Sequence, residues 1–346
     1  MSNDTYAEYR RNLYTSAMGL VKNGDGSNVY ADRIPLADVR KRFDSETVAV
    51  YSTAYVVPGD ADGVNPDGTV HYSADETVID SVRSHVVRLS DGRTHGVFGA
   101  ESAGTRRQYS YLADLASGVT GEGPGDLRIT AAGTTRNGGR AYLQISTGDV
   151  VGWEDFGISP FCTFGMSHDG TLSVVATFGT QIIQCANMVQ GIHAKASSRV
   201  KQSARATDAS IITRTRIALG IEELAEAKRA EFAAMRETQF TDAMWSTLLD
   251  MAYPVDVPDA SKNIETRNNN ARELLTGMYR SDARCAPVTG TLLGAWQTLN
   301  TFDNWERGTR GGTDPQTRMT DEFLSGKLGK SETARNDLLT RVLATV

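Results

Sequence analysis

Cysteine is scarce: Cys162, Cys185 and Cys285 are the only three in 346 residues. No C-x-x-C spacing joins them, so neither a disulfide framework nor a four-ligand zinc site can be assembled from neighbours. That usage fits a reducing cytoplasm, the location expected for this chain. Long apolar runs are missing as well. The opening MSNDTYAEYRRNLY carries acids and no signal-type apolar stretch, and nowhere do about 20 apolar residues follow one another, so neither export nor a membrane partner is expected. Basic residues are too few for a general nucleic-acid coat: the net charge is −6, which leaves only a local patch as a phosphate-binding surface. What is present, 40% hydrophobic and 23% charged residues, suits a folded chain with a sizeable core.

The nucleotide and metal motifs are incomplete. SGKLGKSE (325–332) ends in Gly-Lys-Ser, but Leu324 stands where a phosphate loop needs a glycine. Gly329 ending one helix and Ser331 capping the next explain the same letters. GEGPGD (121–126) lacks both the third glycine at the right distance and a preceding strand. The histidines show no ligand spacing. A two-residue loop at Asp91 and Gly92 would set His95 opposite Arg88 and His85 opposite Phe98. Ser167, His168 and Asp169 are consecutive in a tight turn, where side chains diverge, so a turn-stabilising role is preferred to a catalytic relay. No cofactor and no metal site is expected, nor is catalysis.

Three stages follow one another along the chain. Residues 1–45 suggest two helical pieces, Asp4 to Val21 and Leu36 to Phe43, around the turn KNGDGSN. Residues 46–206 are expected to form a β-rich domain. The runs VAVYSTAYVV, VIDSVRSHVVRL, LRITAAG, AYLQIS and TLSVVATFGTQIIQC alternate with Gly-containing turns, among them the hairpin signals SDGR (90–93), RNGG (136–139) and HDGT (168–171). One helix, RRQYSYLADLASG (106–118), interrupts them. Residues 207–346 are expected to be all-helical, beginning with a long helix capped by Thr207 or Asp208 and including one capped by Thr241 that stops before Pro254. Trp245, Trp296 and Trp305 lie among apolar neighbours on these helices, where core packing is the ordinary expectation. The class is α+β, with a hairpin-rich, largely antiparallel sheet followed by helices.

One stretch departs from the acidic background. Between His193 and Arg216 stand Lys195, Arg199, Lys201, Arg205, Arg214 and Arg216 against the single Asp208. If 198–205 is extended, a period of two places Arg199, Lys201 and Arg205 on one face, and the small residues between them allow a phosphate backbone to come close. The expected function is non-catalytic binding of single-stranded nucleic acid through these six cations, with the protein as a homo-oligomer. The alternative is a protein-interaction or counter-defence module that docks the same segment onto acids of another subunit or a host protein.

The segment just before the patch, SHDGTLSVVATFGTQIIQCANMV (167–189), resembles the phage and plasmid-like family that carries the domain of unknown function numbered 932. The matching features are Ser167, His168, Asp169 and Gly170, a strand, then Cys185 and Asn187. GVFG (96–99), RRQYSYLADL, GGRAYLQI (138–145) and GTLLGAWQTLNTFDNWER (290–307) extend the resemblance over roughly residues 46–345. The chain departs from the family pattern at Gln181 or Ile182, at Gln297 and at Trp305. The resemblance implies a phage, plasmid or prophage setting and no established reaction. Its architecture is also similar to strand-annealing recombination proteins, which implies a basic groove between sheet and helix.

Overall fold

The computed structural model describes residues 34–57, 61–64, 70–72, 76–99, 107–120, 128–146, 151–153, 156–182, 187–190, 199–201, 221–255, 261–307 and 315–345. The expected helix at Asp4 to Val21 and the helix start at Thr207 or Asp208 lie outside them. Pro35, with a φ suited to a helix entrance, leads into α1 (Leu36–Asp44), which buries Val39 and Phe43. The uncharged β-branched run forms β1 (Val48–Val57), followed by β2 (Ala61–Val64), β3 (Val70–Tyr72), β4 (Glu76–Arg88) and β5 (Thr94–Gly99). An antiparallel sheet has the order β1-β4-β5, and β2 pairs with β3. Pairing passes from Ser52 with Ser84 to Thr53 with Asp80, so the extra residues lie in β4 and β1 stays continuous.

After α2 (Ser110–Thr120) come β6 (Arg128–Thr135), β7 (Arg140–Ser146), β8 (Val151–Trp153), β9 (Phe156–Ser167), β10 (Val175–Ile182), β11 (Asn187–Gln190) and β12 (Arg199–Lys201). They build a seven-stranded antiparallel sheet in the order β11-β10-β9-β7-β6, with β12 also on β10 and β8 on β9. β11 and β12 lie end to end along one side of β10: Gln190 faces Gly179 and Arg199 faces Thr177. One sheet face buries Ile129, Leu143, Ile145, Phe164 and Phe178 against Val39 and Phe43 of α1 and Tyr109, Leu112 and Leu115 at α2.

The hairpins occur where the Gly-containing signals predict them, but their loops are longer than two residues. Arg88 N–H donates to Arg93 O at 2.8 Å, leaving Leu89–Gly92 in the loop. Only Gly92 there takes a left-handed φ, +70°, closing the loop at its last residue instead of forming a two-residue corner. The resulting register sets His85 opposite Val97 and not Phe98. Thr135 pairs with Arg140 across a four-residue loop in which Arg136, Asn137 and Gly138 are all left-handed.

The helices are α3 (Ile221–Glu237), α4 (Asp242–Ala252), α5 (Lys262–Ser281), α6 (Leu292–Thr301), α7 (Pro315–Ser325) and α8 (Lys327–Thr345). Thr241 caps α4 by accepting from Met244 N–H at 3.3 Å, and Thr291 caps α6 by accepting from Gly294 N–H at 3.2 Å. α6 continues into a π-helical turn, Phe302–Glu306. Gly329 and Ser331 do not divide two helices as expected: both lie within α8, and the break falls at Gly326, whose φ of +76° ends α7. Trp245 and Trp296 are buried among Phe232, Leu248, Leu293 and Leu339, with Phe156, Ile158 and Ile182 joining from the sheet. Trp305 packs partly buried beside Phe161, Met319, Phe323 and Leu328. The fold class is therefore α+β, with antiparallel sheets in the N-terminal half and helices in the C-terminal half. No helix among the described residues is long and apolar enough to cross a membrane.

Candidate functional site

Of the six cations singled out in the sequence, two fall in a described element. Arg199 and Lys201 flank Val200 in β12, with Thr177 and Val175 as their Cα partners on β10. Opposed residues share a sheet face, so the register places positions 199 and 201 on the face of Thr177 and Val175, and their rows continue through Thr163 and Gly165 to Gln144 and Tyr142. This is also the face that α7 covers: Leu324 packs with Tyr142, Leu172 and Val175, while Met319 and Phe323 pack on Phe161. The two basic positions thus stand at the sheet's outer edge on the side of α7. Lys195, Arg205, Arg214 and Arg216 lie outside the described residues.

The face beside them is unusually polar for its depth. Thr163 and Thr177, opposite one another, are 2% and 0% exposed, and neither hydroxyl has a hydrogen-bond partner among the described residues. At the other end of the sheet, Asp321 of α7 accepts from Thr135 Oγ1 at 2.7 Å and Arg136 Nε at 2.8 Å, and lies 3.2 Å from Arg140 Nη1. α7 is therefore pinned to this face by leucine and phenylalanine contacts and by one carboxylate.

The three Gly-containing loops converge around His168. Its ring is buried and stacks on Tyr109 with centroids 3.7 Å apart, Nε2 lies 2.9 Å from Arg107 O, and the His95 ring is 6.0 Å away. Tyr109 donates its hydroxyl proton to Gly138 O at 2.8 Å, and Gly139 O accepts from the N–H groups of His168 and Asp169. Arg88 donates to Glu46 at 2.6 Å and to Asn137 O at 3.3 Å. A side chain at Gly138 would put a Cβ 2.3 Å from Arg88 Nη1, and its φ is +85°, so any other residue would be strained and would push Arg88 and Glu46 aside. Ser167 exchanges bonds with Leu172, and Asp169 accepts from Thr171 N–H at 2.9 Å. Ser167 and His168 thus bond mainly to backbone groups and Asp169 to Thr171, with Ser167 also hydrogen-bonding the Asp169 carboxyl.

Electrostatics follow from this packing. Burial, helped by Arg88, holds the His95 ring below its ordinary value. Burial opposes ionisation of Asp169, but the bonds from Thr171 outweigh it and keep the carboxyl below the usual range. Burial pushes the Tyr109 hydroxyl far above that of a free phenol, so it remains a donor. The meeting of His95, His168 and Tyr109 was not apparent from sequence spacing. The signal available was the glycine pair at 138–139, which marks a close backbone approach.

A second polar centre occupies the helical half. Lys228 of α3 is 1% exposed and lies 3.1 Å from Glu332 Oε1 of α8 and 2.9 Å from Glu231. Arg335 reaches Asp303 at 2.7 Å and donates to Asn300 Oδ1 at 2.9 Å, while Trp296 Nε1 donates to Asn336 Oδ1 at 2.9 Å. Burial alone would lower the Lys228 ammonium, but Glu332 and Glu231 overcome it and hold Lys228 protonated. The π-helical turn sits directly over this centre: Arg318 bridges the carbonyls of Asp303, Asn304 and Arg307 at 2.7, 2.6 and 2.6 Å. Trp296 is in the core as expected, but the polar residues beside it, Gln297 and Asn300 of α6 and Asn304 of the π-helical turn, carry no charge signal that would mark them in the sequence.

No curated protein and no solved structure matches the chain. A family model, Domain of unknown function (DUF932), matches residues 107–324, a shorter stretch than the resemblance implied. The match runs from the residue whose carbonyl meets the His168 ring to the leucine that seats α7 on the sheet, and the chain belongs to this family.

Proposed function

We propose that the chain binds single-stranded nucleic acid, without catalysis, along the edge of the seven-stranded sheet where it leads into the helical half. The reading is supported by the strand register, in which positions 199 and 201 share one face of an outermost strand on the side of α7. Alternate residues of a strand are about 6.6 Å apart, a repeat that suits successive phosphates of an extended single strand. The excess of six cations over one acid between His193 and Arg216 supports a backbone contact. Phosphate contacts carry no base information, so sequence preference is expected to be low. Strand annealing in a phage or plasmid setting is the wider role this reading suggests.

The test is the salt dependence of binding to a labelled thymidine oligonucleotide, followed by fluorescence anisotropy. Six phosphate contacts predict a log–log slope of about −4, and Arg199→Ala/Lys201→Ala/Arg205→Ala should bring it to about −2. Salt-independent affinity, or a triple variant that binds like the parent, would overturn the proposal. An oligomer that ignores the oligonucleotide and dissociates on the same three changes would point to a protein-docking role instead.

A further inference from the structure

The two sheets treat their edges differently. β5 is six residues long, contains Gly96 and Gly99, and is paired irregularly with β4, all of which blunt an edge. β1, at the opposite side, is ten residues of VAVYSTAYVV with no charge, proline, glycine or bulge of its own. Among the described residues it has a strand on one side only. Val50, Tyr51 and Ser52 are exposed, Val50 at 42% and Tyr51 at 53%.

The backbone at this edge is set for pairing. Leu89 N–H donates to Thr47 O, so Thr47 faces β4 and Val48 faces outward. A side chain already imitates a neighbouring strand there: Gln108 accepts from Val48 N–H at 3.0 Å and donates to Val48 O at 2.9 Å. The alternation of a ladder then turns the N–H and C=O groups of Val50 and Ser52 outward, beyond the reach of that amide.

We propose that this edge pairs with β1 of a second copy of the chain, antiparallel and centred on Ser52, joining two three-stranded sheets into one of six strands. An uncharged edge is complementary to an uncharged strand, and the second copy supplies one. In this register Tyr51 meets Thr53, Ala49 meets Tyr55, Val50 meets Ala54, and Ser52 meets itself. No like charges are opposed in this register. With Val48 held by Gln108, seven paired residues, 49–55, span about 23 Å, and one strand-to-strand seam buries less than the roughly 1,200 Å² of a standard interface, so the dimer is reversible and concentration-dependent. The inference is independent of nucleic-acid binding.

Sedimentation velocity of the full chain without nucleic acid, over a broad concentration series, tests it. The parent should pass from monomer to dimer. Ser52→Lys, which brings two ammonium groups together at the twofold, and Ser52→Pro, which removes one outward donor, should remain monomeric with an unchanged circular dichroism spectrum. If the proline variant misfolds, the lysine variant decides. Ser52→Cys should form a covalent dimer under mild oxidation, because directly opposed residues are about 5.5 Å apart at Cα, whereas Cys at the exposed Leu89 should not. A parent that stays monomeric throughout, or a dimer indifferent to Ser52→Lys, overturns the proposal. Since no oligonucleotide is present, neither result bears on the salt-dependence test.

Discussion

On one face of the seven-stranded sheet, Leu143, Ile145, Phe164 and Phe178 meet Tyr109, Leu112 and Leu115, almost wholly through apolar contact. In the helical half, Lys228, Glu332, Arg335 and Asn300 are buried just as deeply. The first core is held by surface removed from water, which is roughly additive and tolerant of how the pieces meet. The second is directional: Lys228 must reach α8, and Arg335 must reach both α6 and the π-helical turn, so only one mutual setting of these helices satisfies the charges. Burying ions costs free energy that an apolar filling does not, so we expect the helical half to be the more specific and the more easily broken.

The sharpest break is Lys228→Met, which leaves Glu332 buried without its ammonium. A loss of about 3–5 kcal/mol is expected in urea unfolding, and Lys228→Met/Glu332→Met should recover most of it, because an apolar pair replaces an ion pair at little cost. A double variant as unstable as the single would mean that the network does more than neutralise charge. On the apolar side, Leu143→Ala should cost about 3 kcal/mol by the same measurement, with no second-site change in charge able to restore it. The smallest effect concerns pH at the His168 end of the sheet. The unfolded chain protonates His95 near pH 6.5, whereas the folded ring resists until lower pH. Stability from this residue is therefore complete above about pH 6.5 and declines as the pH falls toward the folded value. Unfolding midpoints at neutral and mildly acidic pH should show that decline in the parent and a shallower one in His95→Gln.

The parts readable from sequence are those where local chemistry and tertiary setting agree. VAVYSTAYVV forms a strand over its whole length, and Thr241 caps its helix as its position predicts. β9, the strand beside both β7 and β10, escaped notice because FGISPFCTFGMS contains Gly157, Pro160 and Gly165, residues that ordinarily mark loops. The sheet explains each exception. Pro160 sits where β7 pairing has ended at Phe161 and β8 pairing begins at Ile158, so its missing N–H faces a gap, and its carbonyl there accepts from Ser146 Oγ at 2.6 Å. At Gly165 a Cβ would lie 2.6 Å from Leu324 Cδ2, so the absence of a side chain lets α7 settle on the sheet. α7 is expected from the sequence only as a helix ending at Gly329 and in fact ends at Ser325, and nothing local marks the meeting of Lys228 with Glu332, 104 residues apart. Of the candidate site, the charge segregation was legible, and so was the extended segment at Arg199 and Lys201. The alignment of those positions with α7 was not, because strand order is a long-range property.

β11 and β12 follow one another along β10 so closely that a single residue could link them, yet residues 191–198 intervene. Ends fixed so near each other make the length of that link thermodynamically unimportant, since doubling a loop adds only about 0.6 kcal/mol. Related chains are accordingly free to vary it, and a reporter peptide inserted there should leave the two cations where they are.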